Sequence, residues 1–446
     1  MFRRTIYKDL KEWKDSPRRK PLVLRGARQV GKTSAVNIFG ESFDNYLYLN
    51  LENPLTRSIF EQKLTIDELM VLLFAHVEQT RKAGSTLVFL DEIQNSPEAI
   101  AKLRYFYEEN PGIHVIAAGS LLENVIDVHK SFPVGRVQYM AMRPCSYKEF
   151  LWALGKDELS NILENPMLTI PLHEQFMKHF NTYTLIGGMP EVVADFAKNG
   201  DIIALEDIYE SLLQGYRDDV EKYAVTRKNI DIIRFILNVG WLKAGETITL
   251  GNFAGSNFRA KDVAEGFRVM AKAMISELVY PTSSVMVPVI GETTRAPKLI
   301  WLDTGLVNYA AGVQKEILDA PDILDAWRGR VAEQVVAQEL LTLTNKVSQT
   351  RAFWSRNSKE SSAEVDFVLP WQSVLYPIEV KAGHNAHLKS LHSFMDRSDG
   401  NVAIRVWSQP LSFDKVQTAS GKEFTLINLP FYLVGHLPEV IGIAGN

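Results

Sequence analysis

Two groups of residues in this chain have the types and spacing that phosphate chemistry requires. The first begins with Gly26-Ala27-Arg28-Gln29-Val30-Gly31-Lys32-Thr33-Ser34 and is completed about 60 residues later by Asp91-Glu92. Gly26 and Gly31 lack the Cβ that would keep a backbone away from an oxyanion, so the loop from Gly26 to Ser34 can wrap a phosphate with its amides. Lys32 is placed to contact β- and γ-phosphates, and the Thr33 hydroxyl to ligate Mg²⁺. The spacing is that of a P-loop, G-x-x-x-x-G-K-[ST]. Asp91 follows the apolar run Thr86-Leu-Val-Phe-Leu90, so it is expected at the carboxyl end of a strand, holding the Mg²⁺ shell. Glu92 is the expected general base for the attacking water. These residues predict an ATP site with catalytic Lys32 and Glu92.

The second group lies near the other end. In Glu364-Val-Asp366-Phe-Val-Leu-Pro370 and Leu375-Tyr-Pro-Ile-Glu379-Val-Lys381, side-chain alternation puts Asp366 on one face of the first strand. Glu379 and Lys381 fall on one face of the second. A hairpin brings the three together, with two carboxylates to hold Mg²⁺ or Mn²⁺ and a lysine to support the nucleophile or the developing charge. The arrangement resembles the D…E-x-K signature of PD-(D/E)xK nucleases. That resemblance implies Asp366, Glu379 and Lys381 as catalytic, and a further metal-binding acid, Glu333, on the helical stretch Arg328 to Glu339. His384, His387 and His392 read as surface or helix residues rather than ligands.

The elements needed to hold the first group follow from periodicity. Strands are expected at Lys20 to Arg25, Tyr46 to Asn50, 86–91 and His114 to Ala118, with helices at Ile66 to Thr80 and 97–109. Alternating strands and helices make a parallel α/β sheet. From Tyr147 to Gln214 the pattern is helical, broken at Ile186-Gly-Gly-Met-Pro190. Helical faces at Asn229 to Val239 and Lys261 to Ile275 flank a short element at Ile248 to Phe253. Apolar runs at 278–280, 284–287 and 298–302 then suggest a hairpin. That order is a winged helix-turn-helix, which would put Arg259, Lys261 and Arg268 near DNA phosphates. The alternative is a module that packs only against the ATPase. The expected division is 1–150, a P-loop ATPase domain; 151–215, a helical lid; 216–312, a winged helix; and 313–446, a restriction-endonuclease-like α/β domain.

Composition narrows the setting. Hydrophobic residues are 46% and charged residues 23%, ordinary globular values. No apolar run approaches the ~20 residues of a membrane span, and no h-region follows the basic start. The single cysteine, Cys145, rules out an internal disulfide and a Cys-rich zinc site. A cytoplasmic protein without membrane partners is expected. Net charge is −4, yet residues 1–28 carry ten Lys or Arg against Asp9, Glu12 and Asp15. A nucleic-acid-binding coat over the whole surface is thereby excluded, and a local anionic ligand near the start is allowed. Arg25 and Arg28 flank or enter the P-loop, which assigns part of this charge to nucleotide phosphates.

Taken together, the motifs resemble prokaryotic AAA-like ATPases, close to the archaeal-type STAND ATPases, that carry a C-terminal nuclease-like domain. The matching stretches are Arg25 to Thr33, Phe89-Leu-Asp-Glu-Ile-Gln94, Ala118-Gly-Ser120, Ile186 to Pro190, Trp301-Leu-Asp-Thr-Gly-Leu306, 364–367 and 378–381. Ala27 and Ser34 depart from the commoner proline and threonine. The resemblance implies Ser120 as a γ-phosphate sensor, with a helix cap as its other reading. It also implies that Gly188 and Pro190 contact nucleotide. Arg136 is expected to supply charge as an arginine finger in cis or trans, with a plain exposed arginine as the alternative. The leading expectation is an ATPase coupled to a nuclease-like module acting on DNA or RNA, with assembly into a homo-oligomer open. The rival is a nucleotide-dependent switch or scaffold whose nuclease-like fold is a non-cleaving platform.

Overall fold

A computed structural model describes residues 2–119, 133, 135–224, 226–314, 329–349, 351–356, 363–381 and 388–444. Near the N-terminus five strands form one parallel sheet: β1 (Leu22–Arg25), β2 (Asn45–Asn50), β3 (Thr86–Asp91), β4 (His114–Ala118) and β5 (Gln138–Ala141). Their spatial order is β2-β3-β4-β1-β5. The strands β1, β3 and β4 are buried along their whole length, as their unbroken apolar runs require when both faces are covered. Val23, Val88, Leu90 and Val115 face one core with Leu69, Leu73, Leu103 and Phe106 from covering helices. Leu22, Leu24, Leu87 and Phe89 face another with Leu10, Trp13, Val36 and Phe39. The helix Ile66–His76 begins at a capping box between Thr65 and Glu68, and Pro97–Glu109 begins at the Ser96 cap with proline in its first turn. The basic N-terminal segment forms the helix Ile6–Asp15, which buries Ile6, Leu10 and Trp13 on one stripe.

The helical middle follows as expected, from Tyr147–Ala153 to Glu206–Asp218. A second sheet contains β6 (Ser276–Thr282), β7 (Lys298–Trp301), β8 (Ala352–Ser355), β9 (Glu364–Trp371), β10 (Val374–Val380), β11 (Val402–Trp407), β12 (Ser412–Gln417) and β13 (Glu423–Pro430). Its order is β12-β13-β11-β10-β9-β8-β6-β7. The expected hairpin is present as antiparallel β6 and β7, but 284–287 is not a strand. β6 also pairs in parallel with β8, Tyr280 opposite Ala352. The sheet therefore crosses residue 312, where sequence patterning placed a boundary. One hydrophobic core is likewise shared by the middle helices (Tyr183, Ile186), the hairpin region (Trp241, Trp301) and the last module (Val335, Ile404, Leu429).

The joint between these parts is polar and buried. Asp303 caps the helix Thr304–Ala310 through Leu306 N (3.0 Å) and accepts Gly188 N at 2.5 Å. The approach is so close that a Cβ on Gly187 would fall 2.2 Å from the Asp303 carboxylate, and one on Gly305 would fall 2.0 Å from Ile186 O. Beside it, Glu339 accepts from Tyr147 N (3.0 Å) and the Tyr183 hydroxyl (2.7 Å), while Gln338 Nε2 donates to that hydroxyl (2.9 Å).

Burial pushes the carboxyl of Glu339 up to about 7 and that of Asp303 to about 6. Between about pH 4.5 and 7 the folded chain holds a proton on Glu339 that the unfolded chain has lost, so stability falls as pH rises through this window. At ~1.4 kcal/mol per unit, the ceiling is roughly 3 kcal/mol. Glu339→Gln should therefore flatten the fall: thermal denaturation is expected to show its Tm gaining on wild type between about pH 4.5 and pH 8.

Candidate functional site

The Gly26–Ser34 loop leaves β1 at its carboxyl end and enters the helix Lys32–Gly40. Both glycines are required by geometry. A Cβ on Gly26 would sit 2.3 Å from Met142 O, and Gly31 has φ +92°. Ala27 and Val30 are buried, so they present only backbone to the loop's concave side. Gln29 takes a positive φ, which turns the chain between them. Ala35 N makes its helical bond to Gly31 O (2.9 Å); the amides before it belong to the helix's first turn, which has no intrahelical acceptor.

The chemical groups converge at this helix start. Lys32 Nζ donates to Gly26 O (2.9 Å) and Ala27 O (2.8 Å). Burial pushes its ammonium down to about 8, against the pull of Glu92 and Asp91. The Thr33 hydroxyl donates to Asp91 Oδ2 at 2.8 Å, and the Tyr48 hydroxyl reaches the same oxygen at 3.3 Å. β3 and β1 both border β4, so Asp91 and the loop lie two strand spacings apart, ~10 Å, the width the bridging side chains span. Glu92 takes a left-handed backbone, φ +52°, at the sheet's edge. Its carboxylate accepts from Gln94 Nε2. Gly119 makes room for that amide, since a Cβ there would lie 2.0 Å from Gln94 Oε1. Lys32, Thr33 and Glu92 line a cavity of about 540 Å³ together with Arg28, Gln29, Ser34 and Pro190. The Asp303 latch sets the turn that delivers Pro190, whose ring is 3.7 Å from the Cβ position of Gly31. Arg28 pairs with Asp219, and its carbonyl accepts from the Tyr216 hydroxyl (3.2 Å), which ties the loop to the end of the helix Glu206–Asp218.

The donor set fits a magnesium nucleotide. The loop leaves a side-chain-free cradle of amides and an ammonium for phosphates. The Thr33 hydroxyl and Asp91 carboxylate, already in contact, form an oxygen pair suited to a hard cation.

Two expectations are corrected here. Arg136 precedes β5, and the β1–β5 register sets Leu22 opposite Gln138, so Arg136 lies at the amino ends of the strands, away from the loop. It pairs with Glu108 there, which excludes a finger in cis. Arg25 does not face the nucleotide cavity either: its guanidinium donates to Lys272 O (3.2 Å) on the other side of the loop's root. Ser120, His384 and His387 lie outside the described residues.

Two contributors to the site were missed. Arg4 is buried just before the first helix, donating to Val30 O (3.2 Å) and Arg143 O (2.7 Å) and pairing with Glu149 (3.1 Å). Sequence placed it within a general basic segment, with nothing to mark it from its neighbours. Gln94 carried a signal, its place in the Asp91-Glu92 motif, but no role had been attached to it.

The second group assembles differently from expectation. Continuing the β9–β10 register beyond Phe367 and Ile378 sets Asp366 opposite Glu379, as alternation required. Asp366 Oδ2 accepts Val380 N (2.8 Å), and Lys381 pairs with Glu379 (2.6 Å). Lys298 of β7 enters this group of acids. Its ammonium lies 2.8 Å from Glu333, 2.9 Å from Glu364 and 3.2 Å from Asp366, and 5.0 Å from the Phe353 ring centre. Burial works against this ammonium, but the Asp366, Glu333 and Glu364 carboxylates outweigh it and hold it above the ordinary lysine value. Burial and the Asp366 charge both push Glu333 and Glu379 up. Among the described residues no group of three or more His, Cys, Asp or Glu is arranged to hold a metal ion. Of the three acids expected to hold a metal, Glu333 and Asp366 are paired with a lysine that sequence did not connect to them, and Glu379 is paired with Lys381.

Residues 18–151 match the family described as AAA domain. With the five-stranded parallel sheet and its loop, this makes the N-terminal unit a P-loop ATPase domain. Residues 177–317 match Domain of unknown function (DUF8612), and residues 328–421 match Domain of unknown function (DUF4143). No curated protein matches the chain. Among solved structures, a Walker-type ATPase of Pyrococcus abyssi is similar at 14% identity over 70% of this chain and 96% of that one, TM-score 0.40. The Aeropyrum pernix ORC1 protein in complex with DNA is similar at 11% identity over 69% and 90%, TM-score 0.28. Likeness this loose carries no conclusion about function. Among the described residues, no helix is long and apolar enough to cross a membrane.

Removing the Lys298 ammonium leaves three carboxylates facing one another. Lys298→Met is expected to cost roughly 3–5 kcal/mol in denaturant unfolding. Adding Glu333→Gln should recover part of that loss, a non-additivity that a double-mutant cycle reads directly.

Proposed function

We propose that this chain is an ATP-driven switch in which a Mg²⁺-dependent ATPase domain acts on a C-terminal module that binds its partner without cutting it. The observation that carries the ATPase part is the meeting of Lys32, Thr33 and Glu92 in one cavity bordered by Pro190, with Asp91 bonded to the Thr33 hydroxyl. In this reading the loop amides and Lys32 bind the β- and γ-phosphates, and Thr33 and Asp91 hold Mg²⁺. The ion would neutralise charge developing on the phosphoryl oxygens. Glu92 takes the proton of the attacking water, and Gln94 fixes the carboxylate that does so. Because Pro190 lines the cavity and Asp219, just past the helix Glu206–Asp218, pairs with Arg28, nucleotide state is coupled to the helical segment beyond the sheet. Loss of the γ-phosphate would be felt there first.

The second half rests on Lys298. A buried ammonium among Glu333, Glu364 and Asp366 supplies the positive charge that a nuclease would take from a metal, and it cannot activate water as a metal does. The face shared by Asp366, Glu379 and Lys381 is the observation that favours the competing nuclease reading. For partner contact, the winged-helix order supports nucleic acid: helices Arg227–Val239 and Ala260–Lys272 precede the β6–β7 hairpin. Arg259 and Lys261 are exposed at the start of the second helix, and Arg268 is paired with Glu265. The fitting partner chemistry is the phosphate backbone of DNA or RNA.

Wild type is expected to hydrolyse ATP with Mg²⁺, Lys32→Ala to lose nucleotide binding, and Glu92→Gln to bind ATP while turning over about 100-fold more slowly or worse. Absence of turnover in wild type, or full turnover in Glu92→Gln, rejects the ATPase mechanism. For the module, DNA and RNA incubated with Mg²⁺ or Mn²⁺, with and without ATP, should remain intact. Cleavage abolished by both Asp366→Ala and Lys381→Ala would restore the nuclease.

A further inference from the structure

One peptide of the P-loop has a direction that the loop's own sequence leaves open. Gly31 stands at φ +92° and has no Cβ to set its backbone. Turning the Val30–Gly31 peptide over needs only a change in the ψ of Val30, which the α and β regions both allow, and in the φ of Gly31, which glycine permits on either side of zero. The direction matters because the carbonyl oxygen and the amide hydrogen of a trans peptide point opposite ways. One way round, the loop offers an anion the Gly31 N–H; the other way, it offers the Val30 oxygen, which repels it.

The structure holds this peptide by its oxygen. Arg4 Nη1 donates to Val30 O at 3.2 Å, and it lies 3.7 Å from where a Cβ on Gly31 would sit. The rest of the guanidinium is anchored elsewhere: Nη2 donates to Arg143 O at 2.7 Å, and Nε pairs with Glu149 at 3.1 Å. Glu149 is fixed in turn. It accepts from Thr5 N (2.6 Å), the Thr5 hydroxyl (2.7 Å) and Ser146 N (3.0 Å), and it completes the capping box of the helix Tyr147–Ala153. The Arg4 side chain is 8% exposed and that of Glu149 4%. Stability alone gives little reason for such a pair, since apolar side chains of similar volume often fill a buried site at no loss. A planar guanidinium fork, by contrast, reaches three acceptors on three elements at once, which a single ammonium does not.

We propose that Arg4 is a positioning residue for the nucleotide site: its fork keeps the Val30 carbonyl turned away from the phosphates and so presents the Gly31 amide to them. The proposal rests on the ATPase reading above. The charge of Arg4 is matched by Glu149, so it acts on the loop's peptide and not as a second phosphate ligand. The clamp also makes the loop answer to a distant element. Glu149 stands on the helix Tyr147–Ala153, and Tyr147 N donates to Glu339 of the helix Arg330–Leu340 at 3.0 Å. Displacing the first of these helices would free Val30 O while Lys32, held by Gly26 O and Ala27 O, stays in place.

The test compares the full-length wild type with Arg4→Lys and with the double variant Arg4→Met, Glu149→Gln, which removes both buried charges so that neither is stranded. Calorimetric titration with ATP and with pyrophosphate, each with Mg²⁺, reads affinity, steady-state turnover separates KM from kcat, and thermal melting without nucleotide reads the fold. Both variants are expected to bind ATP and pyrophosphate about tenfold more weakly than wild type or worse, the scale of one charge-assisted hydrogen bond. The loss should fall on KM rather than kcat, because the amide contacts the phosphates in the ground state as well as in the transition state. If Arg4 only held the fold, the variants would melt earlier and lose active protein, lowering kcat with KM unchanged. That result, or wild-type affinity in either variant, overturns the proposal. A wild type that binds no ATP removes the ATP site and the clamp together, and is told apart from a wild type that binds ATP no better than the variants do.

Discussion

The buried Asp303 carboxylate is the contact on which the arrangement of this molecule turns. Its two oxygens end a helix of the last third and grip the amide of Gly188, two residues before the proline at the nucleotide cavity. Isolated in an apolar interior, such a charge would be expelled; here its cost is offset by amides that approach only because Gly187 and Gly305 carry no side chain. Moving Pro190 therefore means moving the start of the helix Thr304–Ala310, and with it Gln338 and the Tyr183–Glu339 pair. The phosphate-binding loop and the distal module are two ends of one hydrogen-bonded frame.

Lys298 shows how one side chain can set the charge balance of a whole cluster. The β9–β10 hairpin and its register bring Asp366 and Glu379 onto one face. The ammonium arrives from β7, a strand of the preceding segment, so the site is closed by the fusion of two modules. The same fusion lines a cavity at the P-loop root, where Ser276 and Glu277 of β6 and Ile300 and Trp301 of β7 meet Arg25, Arg143 and Arg351. Both junctions are built from the β6–β7 region, which makes that hairpin more than a docking wing.

What could be read from sequence divides along contact distance. The loop from Gly26 to Ser34 and the Asp91-Glu92 pair were legible because their function is set by neighbours in the chain and by strand polarity. Asp366 opposite Glu379 followed from alternation plus one tight turn, Gln372-Ser373, which both take positive φ without glycine. Lys298 was illegible: its partners lie 35, 66 and 68 residues away on separate elements, and no local pattern announces such a meeting. Arg136 misled because a basic residue before a strand does not say at which end of the sheet it will fall. The 284–287 run looked like a strand by composition, yet β6 finds its partners in β7 and, across the assumed boundary, β8.

The pairing of β6 with β8 also bears on how the chain comes off the ribosome. Tyr280 meets Ala352 only after some 70 further residues have been made, so the hairpin emerges with one edge bare and part of its core absent. An open edge of that kind is a template for any other strand nearby. The N-terminal sheet, complete by residue 141, has no such wait. The sheet that carries the P-loop can thus be finished while the remainder is still unpaired, and the helical segment that follows it is the first part of the later fold to find a ready surface.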